Sequence, residues 1–112
     1  MKKISLFIIS SLIIFSCSKN VGSDFTPDCS TSKFYAADVA PIISSTCAIN
    51  SSCHAAGSHE GPGALTSYSV VFSNRSDIRS AVASGAMPQN SSLSAVQKNA
   101  IICWIDSGAP NN

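Results

Sequence analysis

Residues 47–54 read Cys47-Ala48-Ile49-Asn50-Ser51-Ser52-Cys53-His54, so two thiols and an imidazole fall within eight positions. These are soft donors that suit disulfides, transition metals or covalent attachment of a group. The flanks say what holds them. On the N-terminal side, Val39, Ile42 and Ile43 form one apolar face at helical spacing, and the pattern predicts a helix over Asp38–Thr46. Asp38 is its expected N-cap, with Pro41 in the first turn, where a missing N–H costs nothing. On the C-terminal side, Ala55-Ala56-Gly57-Ser58-His59-Glu60-Gly61-Pro62-Gly63 contains three glycines and a proline, which excludes regular structure.

Farther along, Leu65 to Phe72 carries Tyr68, Val71 and Phe72, and Ser67 is positioned to cap a short helix there. Ser76 to Ala83 predicts another, with Ile78 and Val82 four apart and Asp77 in the first turn, ended by Gly85. The strongest pattern is the last. Ser94 and Gln97 form a capping box, and Val96, Ala100, Ile101, Trp104 and Ile105 follow at helical spacing until Gly108 and Pro110 stop the helix. No stretch sustains strand alternation. The expected fold class is all-α.

The chain of 112 residues is sufficient for one small domain. Met1-Lys2-Lys3 followed by the apolar run Ile4–Phe15 has the form of a signal peptide, too short to span a bilayer as a permanent helix. Ile13-Ile14-Phe15-Ser16-Cys17 resembles a lipobox, which makes residues 1–16 a lipoprotein signal and Cys17 the lipidated first residue of the mature chain. Residues 17–33, polar and rich in Ser and Thr with one Gly and one Pro, read as a flexible tether in which Cys29 marks the onset of order, and residues 34–112 as the domain. Loss of Lys2 and Lys3 turns seven basic against six acidic side chains into five against six, a net charge of −1. That balance offers nucleic acid or an anionic surface nothing to bind. Membrane attachment would come from the lipid on Cys17, in the cell envelope of a bacterium.

Setting Cys17 aside leaves Cys29, Cys47, Cys53 and Cys103. If Cys47 and Cys53 are taken by another task, Cys29 and Cys103 remain as a candidate disulfide in an oxidising compartment. Four cysteines equally allow two disulfides and no cofactor, and the pairing stays open. The histidine directly after Cys53 favours a third possibility. In C-x-x-C-H sites both thiols add to haem vinyl groups and the histidine binds the iron. Here five residues separate the cysteines instead of two. Met87, in Gly85-Ala86-Met87-Pro88-Gln89, is the one methionine outside the signal and could supply the opposite ligand.

Val39-Ala40-Pro41-Ile42-Ile43-Ser44-Ser45-Thr46-Cys47, Cys53-His54, Ala64-Leu65-Thr66-Ser67-Tyr68, Gly85-Ala86-Met87-Pro88-Gln89 and Cys103-Trp104-Ile105-Asp106-Ser107-Gly108-Ala109-Pro110 occur in this order. Together, residues 39–109 resemble a small bacterial class I cytochrome c domain. The resemblance implies three to five short helices around one covalently attached haem c, with the first and last helices packed together. It also implies thioethers at Cys47 and Cys53, with His54 as proximal and Met87 as distal axial ligand. The function implied is one-electron transfer to redox partner proteins, with no catalysis. The five-residue spacing departs from the family, so the longer loop must bulge away from the haem edge. The departure leaves room for attachment through Cys53 alone.

Other readings of the same residues stay open. Cys47, Cys53, His54 and His59 could bind zinc, although their spacing does not match structural zinc sites. His59 could itself be an axial ligand. Arg75, Arg79 and Trp104 could contact haem propionates. A haem-free lipoprotein stapled by two disulfides, or a peroxidase-like haem enzyme with a vacant distal side, would carry the same sequence. No nucleophile–base pair, phosphate loop or carboxylate cluster supports other enzymology.

Overall fold

The computed structural model describes residues 25–112, and every regular element among them is helical. The expected signal peptide and Cys17 lie outside the described residues. None of the helices among the described residues is long and apolar enough to cross a membrane.

Helix α1 spans residues 35–47 and is continuous but uneven. A wide π-type turn, Tyr35–Val39, leads into Ala40–Ile42, and a second wide turn, Ile43–Cys47, closes it. Pro41 sits inside it, lacking an N–H and crowding the carbonyl one turn back, a combination relieved by widening the turns around it. The helix thus starts three residues earlier than its sequence predicts, and Asp38 is not the N-cap. Its carboxylate instead accepts from Phe34 N–H at 2.8 Å, from within the first turn. The early start has a distant cause. Asn112 supplies its side-chain oxygen to Tyr35 N–H at 2.8 Å and its backbone oxygen to Ala36 N–H at 2.9 Å. Two donors that an isolated helix end would leave unpaired are satisfied from the far end of the described chain.

Helix α2, Tyr68–Ser73, and helix α3, Arg75–Ser84, meet at Asn74. Ser67 holds the predicted N-cap position of α2, but its hydroxyl pairs with that of Ser69 and caps nothing. Gly85 ends α3 in the left-handed region at φ 74°, where a side chain would be strained. Helix α4, Ala95–Asp106, has both halves of the predicted capping box: Gln97 N–H to Ser94 Oγ at 3.2 Å and Ser94 N–H to Gln97 Oε1 at 2.9 Å.

Helix α4 packs against α3 and against the first turns of α1. The core it shares with them includes Val39, Ile43, Val71, Val82, Ile101, Ile102 and Trp104. Val96, predicted to face inward, is 74% exposed. The first turn of α4 runs past the edge of the core, which Leu93 closes instead. Trp104 is fully buried and touches Tyr35 and Tyr68 at ring-centroid distances of 5.3 and 6.4 Å, and Phe72 stacks beyond Tyr68 at 5.6 Å. Beyond the helix the chain doubles back. Ala109 N–H bonds Trp104 O at 2.9 Å, Trp104 Nε1–H bonds Pro110 O at 2.8 Å, and Tyr68 O–H bonds Ala109 O at 2.9 Å.

At the other end, Cys29 and Cys103 form a disulfide, with 5.3 Å between their Cα atoms. Packing reaches back to Phe25, four residues ahead of the expected onset of order at Cys29. Phe25 N–H bonds Ala83 O at 3.1 Å, its ring packs on the core, and Lys98 lies over it at 5.2 Å.

Breaking the crosslink releases a sequence separation of 74 residues. Loop-closure entropy alone makes that worth roughly 4 kcal/mol, with about 2–4 kcal/mol typical of measured cases. The Cys29→Ser, Cys103→Ser pair of substitutions is therefore expected to lower the urea midpoint strongly while the far-ultraviolet helix signal of the folded fraction persists. The Arg79–Asp106 pair that ties α3 to α4 is a weaker device. It is bidentate at 2.6 and 2.8 Å, but both side chains are well exposed, so it contributes less than about 1 kcal/mol. The Arg79 hydrogen bond holds the Asp106 carboxyl below its ordinary value of 3.8. Its contribution is present above pH 3.8 and is lost as pH falls through the lower folded value. The stability gap between the wild-type protein and Asp106→Asn, measured by denaturation, should shrink accordingly on acidification.

Candidate functional site

Cys47 is the last residue of α1, partly buried with its side chain against the core. The chain then leaves the helix and returns within seven residues. Ala48 N–H bonds back to Ile43 O at 2.8 Å, Cys53 N–H and Ala55 N–H both bond Asn50 O at 3.1 and 3.0 Å, and His54 N–H bonds Cys47 O at 3.0 Å. That last bond closes the loop at its base. It brings the start and the end of the C-x5-C-H stretch together, while Ile49, at 56% exposure, and Asn50, Ser51 and Ser52 project outward. Cys47 and Cys53 are both free thiols. Burial, with the neighbouring Cys53 adding to it, pushes the Cys47 thiol above its ordinary value of 9.0, so it holds its proton at neutral pH.

His54 is 8% exposed and held at three points. Besides its N–H bond to Cys47 O, its carbonyl accepts from Leu65 N–H at 2.8 Å. Its ring Nδ1 lies 3.0 Å from Gly63 O. A carbonyl can only accept, so Nδ1 carries the proton and the neutral ring has its lone pair on Nε2. No hydrogen bond from the described residues engages Nε2. Gly63, at φ 81°, turns its carbonyl toward the ring with a left-handed backbone that a side chain would strain. Ser58 is the other buried polar residue of the loop. Sequence reading missed it, because a serine between Gly57 and His59 looks like ordinary turn chemistry.

Two free thiols and a buried histidine whose Nδ1 is held by a backbone carbonyl are the residue types that a c-type haem would need. Second-partner bonds of this kind orient metal-binding histidines in general. Met87 belongs to a different segment. It is half-buried between Gly85 and Pro88, with its N–H bonded to Ala81 O at 3.1 Å. His59 is exposed. Among the described residues no three His, Cys, Asp or Glu side chains converge to hold a metal ion, so Cys47, Cys53, His54 and His59 do not assemble as a zinc set.

The three side chains that could contact haem propionates have other occupations. Trp104 spends its indole N–H on Pro110 O, Arg79 is engaged with Asp106, and Arg75 bonds Phe72 O at 2.8 Å while lying 4.1 Å over the Phe72 ring. Two open grooves of about 490 Å³ each lie along α3 and beside the disulfide, and neither is lined by Cys47, Cys53, His54 or Met87. The site is thus defined by its donor chemistry. No protein-family model, curated protein or solved structure matches this chain.

Because Cys47 is protonated and partly buried, iodoacetamide at pH 8 should modify it several-fold more slowly than a free cysteine in haem-free, folded protein. Unfolding in urea should remove the protection. Peptide mass mapping of a time course checks both.

Proposed function

We propose that the chain is a lipid-anchored, monohaem c-type cytochrome that carries one electron at a time between redox partner proteins of the bacterial cell envelope. The observation that supports this most directly is the Nδ1–H to Gly63 O bond of His54, which leaves Nε2 as the nitrogen that can bind iron. In this reading Cys47 and Cys53 hold haem c through thioethers. Each thiol would add across one vinyl C=C bond, sulfur to one carbon and proton to the other, an addition that needs no oxidant or reductant. His54 and Met87 would supply the two protein ligands of the haem iron, and Cys17 would bear the lipid. Bound haem supplies an iron that shuttles between two oxidation states. Ligation by a methionine sulfur favours the reduced one and raises the potential. With His54 and Met87 both on the iron, no position would be left for a substrate, and no catalysis is expected.

The free pair Cys47 and Cys53 supports a second reading. Oxidised together, they would make a second disulfide and a haem-free structural or binding lipoprotein on the same helical frame. Expression with competent cytochrome maturation machinery separates the two. The first reading expects coloured protein, a reduced α-band of haem c, colour that survives denaturation and one added haem mass. Met87→Ala should alter the spectrum by freeing the distal position. Colourless protein that has lost four hydrogens across Cys29, Cys47, Cys53 and Cys103 would establish the second reading instead.

A further inference from the structure

A run of hydrogen bonds leads from the His54 ring back to the carbonyl immediately ahead of that residue. His54 Nδ1–H donates to Gly63 O at 3.0 Å, Gly63 N–H to Glu60 O at 2.9 Å, and Glu60 N–H to Ser58 Oγ at 3.2 Å. Ser58 Oγ–H in turn donates to Cys53 O, and Cys53 is bonded to His54. Apart from the imidazole, Ser58 supplies the only side chain in this closed circuit. It is 8% exposed, while Gly57, His59 and Glu60 around it are exposed. Its own N–H is tied to Ala55 O at 3.0 Å. One buried hydroxyl therefore joins the Cys53–His54 peptide to the turn that delivers the Gly63 carbonyl to the ring.

We propose that Ser58 is a positioning residue for His54, setting how firmly the Gly63 carbonyl holds the ring and so how electron-rich Nε2 is. The functional side of this inference rests on the haem reading, since the basicity of Nε2 matters only if it binds iron. Removing the hydroxyl leaves the Cys53 carbonyl without its donor and the Glu60 N–H without its acceptor. A part-buried carbonyl left unpaired is costly, so the turn relaxes to bring the Cys53 carbonyl to water. The Gly63 carbonyl then moves off the ring. A weaker Nδ1–H bond makes the imidazole a poorer donor, which stabilises oxidised iron less and raises the potential.

Ser58→Val and Ser58→Thr, nearly identical in shape, separate the hydroxyl from the volume. Two properties of the full-length protein are read. Solvent exchange of the His54 Nδ1 proton and the Glu60 amide, followed by nuclear magnetic resonance, needs no haem (haem-bearing protein is studied in its reduced form). The midpoint potential is read on the haem-bearing protein. Ser58→Val is expected to speed both exchanges about tenfold, the change corresponding to one net hydrogen bond. It should also shift the redox equilibrium toward reduction by about tenfold, or roughly 59 mV for one electron. Ser58→Thr should stay close to wild type in both. If the branched replacements do not fold, Ser58→Ala is read in the same way against wild type. Wild-type exchange and potential in Ser58→Val, or a Ser58→Thr protein that behaves like Ser58→Val, overturns the proposal. A colourless protein whose Nδ1 proton still exchanges faster in Ser58→Val removes the haem reading and leaves the circuit. A coloured protein in which neither property moves removes the circuit and leaves the haem reading.

Discussion

The indole N–H of Trp104 on the Pro110 carbonyl is the constraint from which the rest of the structure follows. A buried indole must find an acceptor, and here the acceptor is a segment that would otherwise drift away from the end of α4. Folding that segment back carries Asn112 to the first N–H groups of α1. It also carries Ala109 to the hydroxyl of Tyr68. The aromatic cluster of Tyr35, Tyr68 and Trp104 is thereby clamped by polar bonds at its rim while its faces exclude water. Helix α1, fixed at its start, delivers Cys47 at its end. Loss of the indole donor would reach the Cys47–His54 loop through the packing of α4 on α1.

Small size makes such ties important. With few large apolar side chains, the residues between Cys29 and Pro110 gain limited hydrophobic stabilisation on folding, and small domains are usually held by further links. The Cys29–Cys103 disulfide pins the entering segment to the last turn of α4, and Phe25 covers the end of α3. The pair Arg79–Asp106 adds a weak exposed link between α3 and α4. None of these links involves the Cys47–His54 loop, whose closing bonds come from its own backbone.

The helical class and the last helix were legible because their signals are local. A capping box, apolar residues at helical spacing and a Gly–Pro stop act within a few residues of each other, and α4 forms where they say. The start of α1 was illegible for the opposite reason. Asp38 has the chemistry of an N-cap, but the donors of Tyr35 and Ala36 are satisfied by Asn112, more than seventy positions away, and the helix extends backward to use them. Val96 fits the helical stripe, yet periodicity does not tell where a core ends. At the candidate site, residue types alone singled out His54 and the two thiols. The partner of its ring, Gly63, and the part played by Ser58 depend on how a glycine-rich loop closes, which composition describes only as irregular.

The bond from His54 N–H to Cys47 O bears on how spacing between cysteines is to be counted. It makes the interval Ala48–Ser52 a sealed side-loop whose length does not set the separation of its two ends. Distance along the chain and distance through space are uncoupled at this point. The exposed positions Ser51 and Ser52 lie between Asn50, whose carbonyl takes two of the loop's bonds, and Cys53, so the length of the tip is set apart from the bond at its base. The number of residues between the two cysteines therefore measures the loop and not the width of its neck.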